Sequence, residues 1–462
     1  MKIEIKEAQA RAIEQLAASH NVFLWGEMGT GKTLMSIEAL KLIQGNNIRR
    51  KTCWVVAPKS TIVDTWSKHL NLLYPEANHA ILGTSSDAHM QRAYVVLMTP
   101  GLLHSRIDDL LNTTRPPEVI IWDELTTLSG RGAHFKAAMR LKRKFKPEYL
   151  WGMTGTPMSD DPLGLYGQAA FISAKVPFIP FYTWRGATMY QVSQYKWVPH
   201  SHWMDTIKAW LPGNIHVRTE DIYDQSATHY NPIYQEQPKT MDELQNRLIA
   251  QQMLFIGGRP IVPSNTAHLC SMLLQLSAGF VYRSEGSPIA VSDHRIEAVV
   301  NYCKSLKHKV IIFAPYTYII NQLADRLAAC KIDGGVVKDR HEVLNKFRQS
   351  KQQFLVANPA AMAHGVTLTE ATETVWAAPC YSNQQFQQAN ARIQRLGQNN
   401  PVTYSLFYSS KFEVGVYDVL RNKGNLQEYF MNYIGNRNGS VGNKPRHSKN
   451  VPEFVPVNRA KT

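Results

Sequence analysis

Short runs of apolar, β-branched-rich residues recur along this chain, separated by longer stretches with amphipathic spacing. In the first third the runs are Val22-Phe23-Leu24-Trp25, Cys53-Trp54-Val55-Val56-Ala57, Val95-Val96-Leu97-Met98, Val119-Ile120-Ile121-Trp122 and Tyr149-Leu150-Trp151. Each run is continuous rather than alternating, as expected of strands covered on both faces, and the intervening stretches supply crossover helices. Leu34 to Leu42 has such helical spacing. The rhythm returns after about Asp293 with Lys309-Val310-Ile311-Ile312-Phe313, Gly335-Val336-Val337, Phe354-Leu355-Val356, Thr374-Val375-Trp376 and Val402-Thr403-Tyr404-Ser405-Leu406-Phe407. The pattern predicts an α/β protein with two parallel-sheet lobes, at 1–162 and 293–434.

Between the lobes, over 163–292, the pattern changes. Aromatic residues are dense: Phe171, Phe178, Phe181, Tyr182, Trp184, Tyr190, Tyr195, Trp197, Trp203 and Trp210. Two readings stand, a base-stacking surface or ordinary packing of a helical insertion that extends the first lobe or bridges to the second. Met241 to Phe255 reads as helix. From Gly435 to Thr462 the chain carries Arg437, Lys444, Arg446, Lys449, Arg459 and Lys461 against Glu453 alone, with three prolines and few large apolar residues. That composition predicts a disordered basic arm. Such an arm either touches nucleic acid or only aids solubility.

The length of 462 residues implies two or three domains. With 51 Lys and Arg against 36 Asp and Glu, the net charge of +15 suits a polyanionic partner. No apolar run reaches the roughly 18 residues of a membrane span, and the alternating Met1–Lys6 segment lacks the apolar core of a secretory signal. Five scattered cysteines show no paired spacing, which argues against zinc and disulfide frameworks. A reducing, cytoplasmic setting is the expectation.

Candidate chemistry enters at Gly26-Glu27-Met28-Gly29-Thr30-Gly31-Lys32-Thr33, which fits the phosphate-binding pattern G-x-x-x-x-G-K-[ST] between a strand and a helix. Gly26, Gly29, Thr30 and Gly31 let the backbone curl so that N–H groups face a triphosphate. Lys32 reaches the β- and γ-phosphates, and the Thr33 hydroxyl holds Mg²⁺. The strand Ile120-Ile121-Trp122 runs into Asp123 and Glu124, where a metal-holding carboxylate and a carboxylate that orients the attacking water belong. Arg392 and Arg395 are three apart, a spacing that on a helix puts both guanidiniums on one face. Arginine matches a phosphate bidentately and stabilises transition-state charge.

The order of these blocks resembles the superfamily-two helicase-type motors, and among them the SWI/SNF-type DNA translocases, over about residues 5 to 430. Glu7-Ala8-Gln9 resembles the adenine-reading glutamine motif, and Gly26–Thr33 resembles motif I. Val56-Ala57-Pro58-Lys59-Ser60-Thr61, followed by Trp66, resembles motif Ia, and Met98-Thr99-Pro100 resembles Ib. Asp123-Glu124-Leu125-Thr126 stands at motif II, with Thr126 where histidine is common. Thr154-Gly155-Thr156-Pro157 is similar to motif III and Gly365-Val366-Thr367-Leu368 to motif V. Arg392-x-x-Arg395-Leu396-Gly397-Gln398 is similar to motif VI, with Ala391 and Gln394 departing from the usual acid and histidine. His216 to Asp221 matches the family's Arg-Arg-x-Lys-x-Asp segment in part.

The resemblance implies two RecA-like lobes with ATP and Mg²⁺ in the cleft between them, in a compact motor of the phage or bacterial kind. Gln9 would read adenine. Lys32, Asp123, Glu124, Arg392 and Arg395 would carry catalysis, with Thr33 and Asp123 on the metal. Thr154, Thr156, Gly365 and Gln388 would couple the nucleotide to movement. Lys59, Thr99 and Thr367 are the candidate contacts to nucleic acid, expected to be duplex DNA bound without sequence preference, and replication or recombination proteins are candidate partners. The implied activity is ATP-driven translocation on duplex DNA. A strand-separating DNA or RNA helicase, a motor subunit of a replication or restriction complex, and a binding module with a silent ATPase core are the alternatives.

Overall fold

The computed structural model describes residues 4–45, 51–113, 115–155, 162–173, 179–193, 196–222, 227–256, 259–333, 340–362, 367–395, 397–422, 426, 429–430 and 433. It divides into two compact units, 1–225 and 226–462. The strands in chain order are β1 (Asn21–Gly26), β2 (Cys53–Val56), β3 (His79–Ile81), β4 (Val95–Met98), β5 (Val119–Asp123), β6 (Tyr149–Thr154), β7 (Met189–Ser193), β8 (Lys196–Pro199), β9 (Gly213–Val217), β10 (Thr228–Tyr234), β11 (Leu254–Ile256), β12 (Arg259–Ile261), β13 (Phe280–Tyr282), β14 (Pro288–Ala290), β15 (Val310–Phe313), β16 (Cys330–Ile332), β17 (Phe354–Ala357), β18 (Glu373–Trp376) and β19 (Val402–Tyr408).

The first unit is built on a seven-stranded parallel sheet in the order β3-β4-β2-β5-β6-β1-β9. All residues of β2 and β4 are buried, which explains their unbroken apolar sequence. One sheet face packs Leu24, Val55, Leu97 and Ile121 with Ile13, Leu16, Ile37, Leu40 and Trp66. The other packs Phe23, Trp54, Val96 and Ile120 with Leu141, Ala169 and Phe171. On that second side Lys142 is buried, and its ammonium donates to the carbonyls of Ala170 and Ser173 at the end of helix Pro162–Ile172. It supplies the carbonyl partners that a helix C-terminus lacks, and burial lowers its pKa to about 8.

The second unit holds a six-stranded parallel sheet in the order β10-β19-β18-β15-β17-β16. Arg295, on helix His294–Ser305, is fully buried and pairs with Glu413 at 2.9 Å. It also donates to the carbonyls of Ala377 and Phe407 and to Ser409, so one guanidinium ties two strand ends to helix Lys411–Arg421. Truncating one partner of such a buried pair typically costs about 3–5 kcal/mol.

Several expectations change in detail. The boundary between the units falls inside 163–292, so that stretch is shared: β9 extends the first sheet beside β1, and β10 lies at the edge of the second. Besides helices its described residues contain three two-stranded antiparallel ribbons, β7–β8, β11–β12 and β13–β14. The helix read over Met241 to Phe255 runs Lys239–Gln251 and stops at Gln252, whose positive φ of 50° turns the chain into β11. The run at 335–337 and the basic arm at 435–462 lie outside the described residues. All five cysteines are buried and free. Burial raises every one of their pKa values, to about 12 for Cys270, Cys303 and Cys380. Among the described residues no helix is long and apolar enough to cross a membrane.

Candidate nucleotide site

The glycine loop joins β1 directly to helix Lys32–Gln44. Gly29 and Gly31 sit at φ of 84° and 81°, a region that costs other L-residues steric strain. A Cβ on Gly26 would come within 2.8 Å of Lys32 Cγ and of Thr30 Oγ1, so the curl needs hydrogen at this position. Lys32 Nζ donates to the carbonyls of Gly26, at 2.6 Å, and Glu27, at 3.2 Å. The ammonium is thus held over the loop at the start of a helix, where dipole and N–H groups favour an anion.

Gln9 is buried and wired to this loop. Its Nε2 donates to the Thr30 carbonyl at 2.9 Å, while its Oε1 accepts from the Lys6 N–H. The segment at 216–221, matched only in part by sequence, docks on the loop too. Glu27 N–H donates to Val217, Thr219 N–H donates to Glu27 Oε2 at 2.9 Å, and the Thr219 hydroxyl donates to Met28.

Asp123 ends β5 and Glu124 turns the chain away from the sheet. Glu124 has φ 57° and ψ 64°, a left-handed conformation that costs about 1–2 kcal/mol for a non-glycine residue. Two hydroxyls fix its side chain. Thr126 donates to Glu124 Oε1 at 2.7 Å and Thr154, at the end of β6, donates to the same oxygen at 3.4 Å. Threonine in place of the usual histidine therefore has a defined job, holding the second acid. Thr154 is buried, and Gly155 follows it so closely over the glycine loop that a Cβ there would lie 3.5 Å from Lys32 Nζ.

Trp66 is the residue that motif reading undervalued. Fully buried, it donates its indole N–H to Asp123 Oδ2 at 2.9 Å. Burial raises the Asp123 pKa to about 6, with Glu124 adding to the rise and Trp66 and Lys32 opposing it. In the folded protein Asp123 keeps a proton up to about pH 6, whereas an unfolded carboxylate loses it near 4. This site therefore contributes less stability as pH rises through that window. Removing the indole donor withdraws support from the charged form. In the metal-free protein Trp66→Phe should extend that window to higher pH, read by thermal melting across pH, and an unmoved window would show that the indole does not support the charged carboxylate.

In the second unit, helix Asn383–Asn390 stops short of both arginines. Asn390 Oδ1 accepts from Thr374 and from the Trp376 indole, anchoring the helix end to β18. Arg392 and Arg395 thus lie in the following turns and not on one helix face, contrary to the spacing argument. Arg392 is only 2% exposed, its Nε donates to the Gln388 carbonyl, and its own carbonyl accepts from Leu368 N–H. Arg395 donates to Thr367 Oγ1 at 3.0 Å. Burial lowers the Arg392 pKa well below the guanidinium norm, and the nearby charges of Arg395 and Arg340 add to this. An anion beside such crowded cations would be strongly favoured.

Of the remaining candidates, Lys59 is exposed beyond β2, and Thr99 caps helix Pro100–Ser105 by accepting from Leu102 N–H. Gln388 is buried. Thr156 and Gly365 lie outside the described residues.

Residues 2–159 match the family model of the type III restriction enzyme res subunit, and 294–397 match the helicase conserved C-terminal domain. The chain is 24% identical over 407 residues to the SWI/SNF-related matrix-associated actin-dependent regulator of chromatin subfamily A-like protein 1 of Xenopus tropicalis, covering 82% of this chain and 40% of that protein. Both matched domains are helicase-type, and the findings support a superfamily-two helicase-type ATPase similar to the SWI/SNF-related proteins. Another relative is protein p41 of Acyrthosiphon pisum secondary endosymbiont phage 1, 23% identical over 82% of this chain and 87% of the phage protein. The chain spans between two-fifths and about half of the chromatin-regulator relatives, with 40%, 53% and 39% of their lengths covered. The helicase domain of Pyrococcus furiosus Hef shares the fold at a TM-score of 0.54 and 13% identity, over 90% of this chain and 98% of that one.

Proposed function

We propose that this chain is an ATP-dependent motor that moves along duplex DNA and remodels the duplex or what is bound to it. The observation that carries the reading is the wiring of the acid pair. Asp123 is held by Trp66 from the motif Ia side, and Glu124 by Thr154 from motif III. A change at the phosphates would therefore move residues that lead toward the surface, as a motor requires and a passive nucleotide store does not.

In this reading Lys32 and the loop N–H groups bind the triphosphate, and Gln9 reads the adenine. Thr33 and Asp123 would hold Mg²⁺, since a hydroxyl and a carboxylate are the hard oxygen donors this ion prefers. When bound, the ion neutralises charge that develops on the transferred phosphoryl group. Glu124, fixed by Thr126, orients the attacking water and accepts its proton. Arg392 and Arg395 bind the γ-phosphate and release it on hydrolysis, which gives the cycle its two states. Lys59, Thr99 and Thr367 hold backbone phosphates, contacts that carry no sequence information and weaken with salt.

Steady-state ATPase rates with no nucleic acid, duplex DNA, single-stranded DNA and RNA test the reading, with Glu124→Gln as blank. Duplex DNA is expected to stimulate most. Stronger stimulation by single strands or RNA would replace the translocase with a strand-separating helicase.

A further inference from the structure

The aromatic-rich stretch separates into two populations. Phe171 and Trp184 are buried in the first unit's core, and Phe181, Trp203 and Trp210 pack against it. Phe178 and Tyr195 lie outside the described residues, and Tyr182, Tyr190 and Trp197 lie on or beside the ribbon β7–β8. Its register pairs Tyr190 with Val198 and Gln191 with Trp197, so alternate residues point to opposite faces. Met189 is buried, which makes its face the inner one, shared with Trp197. There the Arg185 guanidinium lies 4.1 Å from the Trp197 ring and 5.2 Å from that of Tyr182, clamping the ribbon to helix Phe181–Thr188.

The outer face carries Tyr190, which is 47% exposed although it is a large aromatic. Its ring lies 5.3 Å from His200, and His200 lies 5.8 Å from His202 at an interplanar angle of 30°. Three rings thus neighbour one another in turn, from the clamped ribbon into the chain that follows it, exposed at Tyr190 and at His202. Exposed Asp205, whose N–H donates to the His202 carbonyl, borders one end, within a chain of net charge +15.

We propose that these rings form a stacking platform for the bases of a single-stranded nucleic acid segment. Aromatic faces meet bases only where those bases are unstacked from a duplex, and the chain's net charge of +15 suits the accompanying phosphates. The class of occupant rests on the motor reading. None of its residues belongs to the nucleotide site, so a single-strand segment exposed during remodelling would be held by groups that take no part in ATP turnover.

The test uses the full chain, a fluorescently labelled oligothymidylate and a duplex of equal length. Tyr190→Ala should weaken oligothymidylate binding by roughly five- to a hundredfold, the range for one lost base stack. Its salt dependence should be unaltered because no phosphate contact is removed. Tyr190→Phe keeps the ring and should bind as wild type. Duplex affinity and thermal melting should not move in either variant. Unchanged single-strand binding in Tyr190→Ala, equal loss in Tyr190→Phe, or a parallel loss of duplex binding would each overturn the platform. Wild-type protein that binds neither nucleic acid would overturn the motor reading together with it. Wild-type binding that ignores the substitution would overturn the platform alone.

Discussion

Glu124→Gln is expected to bind ATP and Mg²⁺ as the wild type does while its turnover falls by about 10²–10⁴-fold, the usual worth of a positioned general base. Glutamine keeps the size of the side chain and a carbonyl oxygen for the hydroxyls of Thr126 and Thr154. The left-handed backbone at this position should persist, since those contacts and the following turn hold it. What disappears is the group that takes a proton from water. Nucleotide binding by a fluorescent ATP analogue, measured beside steady-state hydrolysis, separates the two effects. Near-normal turnover would move the role of base to another residue, and loss of binding would mean that the acid acts mainly by holding the site together.

Replacing either arginine of the second unit is expected to cost about 10³-fold or more in hydrolysis, as loss of a transition-state arginine does. The two should differ in their side effects. Arg392 is buried and supports a turn whose carbonyl accepts from Leu368, so Arg392→Ala should also lower thermal stability, and Arg392→Lys is the better probe of charge. Arg395 is more accessible and bonded to Thr367. Arg395→Ala should leave stability nearly intact and loosen the coupling between hydrolysis and nucleic-acid binding. If both alanine variants hydrolyse ATP normally, γ-phosphate recognition by this segment is refuted.

The parts legible in sequence are those whose chemistry is local. Strands β2, β4, β5, β15 and β17 announce themselves because burial on both faces leaves unbroken apolar runs. The glycine loop and the acid pair are legible because phosphate geometry constrains consecutive residues. Edge strands were not. β10 is only half-buried and contains Pro232, tolerable at an edge where one side needs no ladder donor. β9 is Gly-Asn-Ile-His-Val, too polar to stand out. The long-range hydrogen bonds were hidden for another reason. Trp66 and Asp123 are 57 positions apart, and Thr219 and Glu27 are 192 apart. No local pattern records such pairings, although the tryptophan was visible as a neighbour of motif Ia. The arginine pair misled because a spacing of three suggests a helix, while the anchoring of Asn390 had already ended it.

The burial of all five thiols has a practical consequence. Sulfur reacts as thiolate, and these groups are both shielded and held protonated. Maleimide dyes should therefore pass over the native chain, and a single cysteine introduced at an exposed position in each unit would take the label without any prior substitution. Paired fluorophores placed in this way, one near Lys59 and one near Arg348, would report distance changes through a catalytic cycle on the unaltered protein background.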